Sequence, residues 1–478
     1  DITADGVTIS GLTIERISAA SDNRTLAGHA QGISVQASDV VIENNELIGS
    51  LNADGGTPDE FDGIVVFDPY NSGDGGTTEN VSISNNDVSG FDTGYVTTVF
   101  YSLSSIVRDV SFANNNATNN RIGFAAKAHK GSISGVSGSG NDFTGNDQES
   151  IVFSPESYQG YSGLQSIPAT AVNFDGPVLV EDGDSIQTAV NVAGDGATVS
   201  VGSGVYREQI VISSQSGLTI SGEGDSTIIE SPNSADLNTI GLEENSARDP
   251  EIKKRSIRTP VAVLGSSAIK LSDIQVDGRN QGAGGQAFFG IYVENSSGSI
   301  VDTNVVNATG GGNSSPTGNQ FIDAIRVQNS DDEDRQFAIK NVSVEKFNKN
   351  GITAQSVGDG NLSVDVTGST VIGAGPTDAT AQNGISLTDV SATVTDNTVV
   401  NLSYTKDGAN SGYISTTSIS DSEFTGNTLR DEVPSEGAPT GIYITVSDDV
   451  TFPGNTIEGT AFGIFPNSGA SATALAST

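Results

Sequence analysis

GIYVENSSGSIVDTNVVNATG, Gly290 to Gly310, decides the fold. A glycine and a bulky apolar residue open a short alternating run. A polar turn follows, then a second alternating run that closes on Asn and Gly. The Gly-apolar opening returns at Gly351-Ile352, Gly384-Ile385, Gly412-Tyr413, Gly441-Ile442 and Gly463-Ile464, with Ala324-Ile325 standing in once. It occurs earlier at Gly32-Ile33, Gly63-Ile64, Gly94-Tyr95 and Gly123-Phe124. Recurrence at about 30 residues, drifting by a few, marks stacked coils with variable loops. Apolar-polar alternation within each coil predicts half-buried strands. Roughly a dozen such coils, each resting only on its neighbours, account for the 478 residues without a conventional multi-domain core.

A second repeat fixes a corner of the coil. Val40 to Asn45, Val81 to Asn86 and Val110 to Asn115 are alternating strands that each end in paired Asn. Asn tolerates the left-handed backbone of a sharp turn. Stacked Asn side chains can also hydrogen-bond along the pile as a ladder. The acidic, Gly-rich stretches Leu51 to Glu60 and Asn71 to Glu79 are too polar for a core and read as loops.

Composition narrows the function classes. There are 58 glycines, aromatics are 6% and Trp is absent, which suits many short strands joined by polar turns. The net charge of −38, from 59 acidic and 21 basic residues, repels nucleic acid and anionic membranes. That excess, with few lysines, reads as a halophilic and archaeal protein kept soluble by hydrated carboxylates; the alternative is an acidic marine or extracellular protein that binds calcium. No Cys means no disulfide and no Cys metal site. Two histidines argue against zinc or copper. No run of about 18 apolar residues is present, so no membrane insertion is expected in this segment. DITADGVTISGLTIERI reads as an interior coil, so Asp1 is expected to lie inside a longer protein, and NSGASATALAST reads as a tail or linker.

The order along the chain predicts two tandem modules. Residues 1–155 form the first, lacking a cap. Residues 156–177 lose the alternation and read as a linker or loose last coil. Residues 178–466 form the second, and 467–478 the tail. The second opens with a helix near 185–193, where Ile186, Ala189, Val190 and Ala193 share a face, Ser185 or Asp184 caps the start and Gly194 ends it. Strands are expected at Thr198 to Val201, Gln209 to Ile212 and Leu218 to Ile220. A helix at that place covers the open end of a strand stack.

SIQTAVNVAGDGATVSVGSGVYREQIVI, followed by GLTISGEGDSTIIE, resembles the N-terminal cap of right-handed parallel β-helix proteins of the pectin-lyase-like superfamily. It is most similar to the opening of pectin methylesterases and of periplasmic β-helix proteins with carbohydrate-binding and sugar-hydrolase repeats. The later Gly-Ile coils resemble the latter group. The resemblance implies an all-β right-handed parallel β-helix, a solenoid. It does not carry an activity, because one fold hosts lyases, esterases, hydrolases, epimerases, tailspikes and non-catalytic surface proteins. The QDT and DFIFG-like strings of the esterases are absent.

Several places present chemistry. FDPYN, Phe67 to Asn71, resembles the DPH-containing motif of alginate epimerases with Tyr70 in the His position. Equivalent strands stack on one face, so Asp68 or Tyr70 is expected near Lys127 or His129, a candidate base and cation for proton abstraction beside a carboxylate. The plainer reading of the same residues is an ordinary turn at Asp-Pro-Tyr-Asn and an exposed strand end at Lys127 to Lys130. Arg248, Lys253, Lys254, Arg255 and Arg258 cluster in a long insertion, Ser231 to Pro260, as a contact for an anionic glycan or a neighbouring subunit, or as internally paired surface charge. Asp331, Asp332 and Asp334, with Glu333, offer hard oxygens for calcium, or a solvated acidic loop. Asn23, Asn80, Asn116, Asn295, Asn307, Asn313, Asn341, Asn361 and Asn401 begin N-x-S/T sequons, the acceptors of a glycoprotein.

The expected function is a non-catalytic extracellular structural or adhesive protein, a surface fibre, filament subunit or tail fibre, with glycans or copies of itself as partners. The alternatives are a polysaccharide lyase or uronate epimerase, and a virion tailspike binding a host glycan. The localisation that follows is extracellular, at a cell or virion surface.

Overall fold

The computed structural model describes residues 1–17, 30–49, 61–69, 75–99, 102–128, 130–143, 146, 148–152, 172–174, 178–180, 185–243, 255–282, 285–312, 314–406, 411–431 and 439–467. The chain forms right-handed β-solenoid turns, about 12 in all, with almost no helix. It divides into two compact units, Asp1–Val201 and Gly202–Thr478.

Three parallel sheets make the coils of the first unit as far as Phe174, each receiving one strand per turn, and Val178–Val180 and Thr198–Val201 pair in a further sheet. The front sheet, which holds the Gly-apolar openings, runs Ala30–Val35, Phe61–Phe67, Thr93–Val99, Ile122–Ala128 and Gln148–Val152. Its register aligns Ile33, Ile64, Tyr95 and Phe124 in one column. All four are buried, and with Ile42, Ile83 and Phe112 from the sheet running Val41–Glu43, Thr77–Ser84 and Ile106–Ala113 they fill the centre of the coil.

The Asn pairs do the two jobs expected of them. Asn44, Asn85 and Asn114 take the left-handed turn, with φ of 57°, 53° and 53°. Asn45, Asn86, Asn115 and Asn141 form the ladder. Asn45 donates to Asn86 Oδ1, Asn86 to Asn115 Oδ1 and Asn115 to Asn141 Oδ1, each at 3.0 Å from Nδ2. Each also donates to a carbonyl of the preceding coil, as Asn86 does to Ile42 O at 3.0 Å. A second ladder joins Asn120 to Asn146 at 2.9 Å, and a third, in the second unit, runs Asn397 to Asn427 to Asn455.

The helix spans Ile186–Val192, with the Ser185 hydroxyl accepting from Thr188 N at 3.2 Å. Ile186, Ala189 and Val190 are buried as the periodicity predicts. Within the first unit it packs on Gln148–Val152, Val172–Phe174, Val178–Val180 and Thr198–Val201.

The second unit repeats the three-sheet plan. Its front sheet runs Ile210–Ser213, Val261–Leu264, Ala287–Glu294, Ile322–Asn329, Asn350–Ser356, Asn383–Thr388, Gly412–Thr417, Thr440–Thr445 and Phe462–Pro466. The opening glycines have a steric cause. A Cβ on Gly290, Gly351, Gly384 or Gly441 would lie 2.7, 2.8, 2.6 or 2.2 Å from the facing carbonyl oxygen of the next coil. One expected opening is off by a residue: Ile385 pairs with Ile414 and Ile414 with Ile442, so Tyr413 occupies the small-residue position and Ile414 the core position. The insertion after Ser231 also contains more structure than its charge suggests. Gly241–Glu243 pairs antiparallel with Arg255–Arg258, which pairs parallel with Ala287 and Phe288 and so widens the front sheet.

Candidate functional site

The bend at each opening glycine breaks strict alternation. The residue before the glycine and the residue two beyond it therefore share the outer face of the front sheet. At the coil where Ala324 replaces glycine, those residues are Asp323 and Arg326. Arg326 donates to Asp323 Oδ2 from Nε at 3.0 Å and from Nη2 at 2.7 Å. The next coil supplies Thr353 Oγ1, donating to the same oxygen at 3.0 Å, and Asn350 Nδ2, donating to Oδ1 at 2.8 Å. Asn383 continues the line, donating to Asn350 Oδ1 at 2.9 Å. Asp323 is fully buried and Arg326 is 6% exposed, with its guanidinium 4.6 Å from the Phe289 ring centroid.

The cover over this pair is apolar. Phe289 stacks on Tyr292 at 5.2 Å, and Ile257 and Ala287 pack with them against Ile240, Leu264 and Phe321. Lys349 lies at the edge. Burial pulls its amine below the usual lysine range, against the charge of Asp323, and its ammonium donates to Ala381 O. A third outer column holds Glu294, Gln328 and Gln355, with Gln355 donating to Gln328 Oε1 at 2.6 Å.

Beyond this cluster the outer face changes character. The columns continue as Asn350, Asn383, Gly412, Thr440 and Phe462, as Thr353, Ser386, Ser415, Tyr443 and Phe465, and as Gln355, Thr388, Thr417 and Thr445. Charged residues are 17% of the chain, yet the five strands Asn350–Ser356, Asn383–Thr388, Gly412–Thr417, Thr440–Thr445 and Phe462–Pro466 hold none. On an acidic protein this is a neutral stripe of amides and hydroxyls ending in aromatic rings. It starts deep, with Thr353 at 4% exposure, and opens to Phe462 at 48%.

The residues singled out in the sequence are distributed differently. Asp68 is buried and follows the strand Phe61–Phe67. Lys127 is half-buried, in register with Thr98 and through it with Phe67, two coils from Asp68's strand. Tyr70 and His129 lie outside the described residues, as do Arg248, Lys253, Lys254, Asn23 and Asn313. Arg255 and Arg258 turn to internal contacts: Arg255 stacks 4.0 Å from the Phe321 ring centroid, and Arg258 donates to Ser234 O.

Asp331 and Glu333 both pair with Arg335, at 2.7 and 2.8 Å, while Asp334 accepts from Asn361 N at 2.9 Å. Burial raises the Asp331 carboxyl, but the bonds from Arg335 and Glu333 N and the Arg335 charge bring it below its ordinary value. Among the described residues no group of three or more His, Cys, Asp or Glu is placed to hold a metal ion. Among the sequons, Asn80, Asn295, Asn307, Asn341 and Asn401 sit at left-handed corners, φ 49° to 63°, so backbone geometry accounts for these asparagines. The Nδ2 atoms of Asn80, Asn307 and Asn341 already donate to Asp39, Asp277 and Asp302.

Residues 323–477 match the family described as "Right handed beta helix region". This chain is a right-handed parallel β-helix protein. No curated protein matches it significantly in sequence. Among solved structures it is similar to a pectin methylesterase variant in complex with a hexasaccharide, at 9% identity over 50% of this chain and 74% of that one, TM-score 0.29. It is also similar to the A-module of the Azotobacter vinelandii mannuronan C-5 epimerase AlgE6, at 11% identity over 98% and 91%, TM-score 0.16. A third is a PL6 family alginate lyase, AlyGC, at 10% identity over 99% and 96%, TM-score 0.19. No residue role is carried from them to this β-helix.

Proposed function

We propose that this β-helix is a non-catalytic glycan-binding protein, acting outside the cell, and that the outer face of the second unit's front sheet is its binding surface. The uncharged stripe from Asn350 to Phe465 carries the reading. Amides and hydroxyls at regular coil spacing offer paired donors and acceptors to sugar hydroxyls, and strand positions hold them more rigidly than loops. The groups with chemistry are already committed. Both oxygens of Asp323 accept hydrogen bonds within the protein, Arg326 is bound to it, and Lys349 donates to a backbone carbonyl. Such a set positions the face; a general base needs a free lone pair within reach of a substrate proton.

A second reading, a uronate lyase or epimerase, draws on one observation: Lys349, its amine lowered by burial, stands beside Asp323. One experiment separates the two. Electrophoresis through gels containing neutral or uronate polysaccharides is expected to show retardation of the wild type and none of Ser386→Asp, which places a carboxylate in mid-stripe. Incubation with uronate polymers is expected to give no ultraviolet absorbance from an unsaturated product. Turnover abolished by Lys349→Met would overturn the non-catalytic reading.

A further inference from the structure

We infer that the last two coils of the front sheet form an aromatic subsite that takes the apolar face of a neutral pyranose; this rests on the glycan-binding reading above and names the ligand class. Tyr443 and Phe465 are in register on adjacent coils, with ring planes 12° apart and centroids 5.8 Å apart. Phe462, at the start of the same strand, packs on Phe465 at 4.9 Å and is 48% exposed. Val446, at the rim after Tyr443's strand, is 53% exposed. A contiguous apolar patch of this kind on a soluble protein marks a contact surface.

The occupant follows from chemistry. The negative face of an aromatic ring attracts weakly positive C–H bonds, and one face of a pyranose presents a group of them. The surrounding positions are neutral and polar: Ser415, Thr417, Thr440, Thr445 and Asn467, whose Nδ2 donates to Tyr443 Oη. No cation on these strands would neutralise a uronate, and the net charge of −38 opposes one. Neutral hexose chains therefore fit where uronate chains do not.

The chain has no tryptophan, so Phe465→Trp introduces a single reporter. Neutral linear hexasaccharides of glucose, mannose and galactose, and a hexauronate, are titrated against it, with thermal melting as the check on folding. The expected result is a blue shift of emission with at least one neutral hexasaccharide and none with the hexauronate. Phe462→Ala and Phe465→Ala are expected to weaken wild-type retardation by that sugar about tenfold, the scale of one stacked ring. Wild-type retardation unchanged within about twofold in both alanine variants overturns the subsite and leaves the glycan-binding reading standing. A reporter already blue and unmoved by any sugar, or moved equally by the hexauronate, overturns it likewise. No retardation of the wild type by any polysaccharide overturns both.

Discussion

Arg326 and Asp323 form an ion pair on the outer side of a sheet, yet neither side chain is more than 7% exposed. Removing one partner leaves the other charge buried alone, which costs far more than the pair contributes. Arg326→Met is therefore expected to lower unfolding free energy by about 3–5 kcal/mol. Arg326→Met with Asp323→Asn is expected to recover most of that loss, because Asn keeps an oxygen to accept from Asn350 and turns an amide NH2 to donate to the Thr353 hydroxyl. Urea unfolding of the two variants measures the difference.

The Asn ladder makes a sharper demand. Asn86 accepts from Asn45 N and Nδ2 and donates from Nδ2 to Asn115 Oδ1 and Ile42 O, each at 3.0 Å. Asn86→Ala strands those partners in a dry interior, at about 2–4 kcal/mol. Asn86→Asp keeps the shape but aims a carboxylate at two oxygens, and is expected to be the less stable of the two near neutral pH. Acidification should narrow the gap, since a protonated Asp regains one donor.

The ladder was legible in the sequence because both of its functions, the left-handed residue and the stacked amide, demand the same residue type side by side, as in Asn85-Asn86. The glycine openings were legible for a similar reason, since a facing carbonyl leaves no room for a Cβ. Gly412-Tyr413 misled because a glycine next to an aromatic satisfies the pattern one residue early, and only pairing with Ile385 and Ile442 fixes the phase. The strand Arg255–Arg258 was hidden because RSIR has no apolar alternation; its partner is the edge of the coil itself. Asp323 and Arg326 were hidden more deeply. They meet through the bend at Ala324, and the groups that complete the site come from the next coil. The readable signal was a polar residue before successive openings: Asp323-Ala324-Ile325, Asn350-Gly351-Ile352, Asn383-Gly384-Ile385.

Val446 occupies a corner that suits it poorly. The residue after several front strands turns left-handed, as at Gly265, Asn295, Asp389 and Ser418, and Val446 does so with φ 46°. A β-branched side chain clashes there with its own backbone. Val446→Asn is expected to stabilise the fold by about 1 kcal/mol, read as a higher Tm. Val357→Asn, after the strand Asn350–Ser356, has no left-handed backbone to relieve and serves as the control.

The charge imbalance predicts a response to salt. With a net charge of −38, like charges repel through the folded state more strongly than through the expanded chain. Raising ionic strength from about 0.1 to 1 M shortens the screening length from about 10 to about 3 Å. Tm is expected to rise across that range with sodium chloride, before any specific effect of a structure-stabilising anion. A flat or falling Tm would remove the argument for a protein adapted to high salt.

Alkaline titration tests the packing of two of the ten tyrosines. Burial, and then the Asp87 charge, push the Tyr95 phenol well up; its hydroxyl donates to Asn86 O at 2.8 Å and also lies 3.1 Å from Asn116 O. Burial, and then the Asp431 charge, push Tyr413 up as well, and its buried hydroxyl has no hydrogen-bond partner among the described residues. Both folded-state values exceed the unfolded value of about 10, so the folded state holds more protons once pH passes that point. The stability they contribute is complete below about pH 10 and falls as pH rises toward the folded-state values. Tyrosinate absorbance, free of tryptophan, is expected to rise reversibly for the exposed tyrosines and then in a cooperative step with loss of the β-sheet circular dichroism signal. Tyr413→Phe removes an unpaired buried hydroxyl and is expected to move that step to higher pH, whereas Tyr95→Phe loses a hydrogen bond and is expected to lower stability at neutral pH by about 1 kcal/mol.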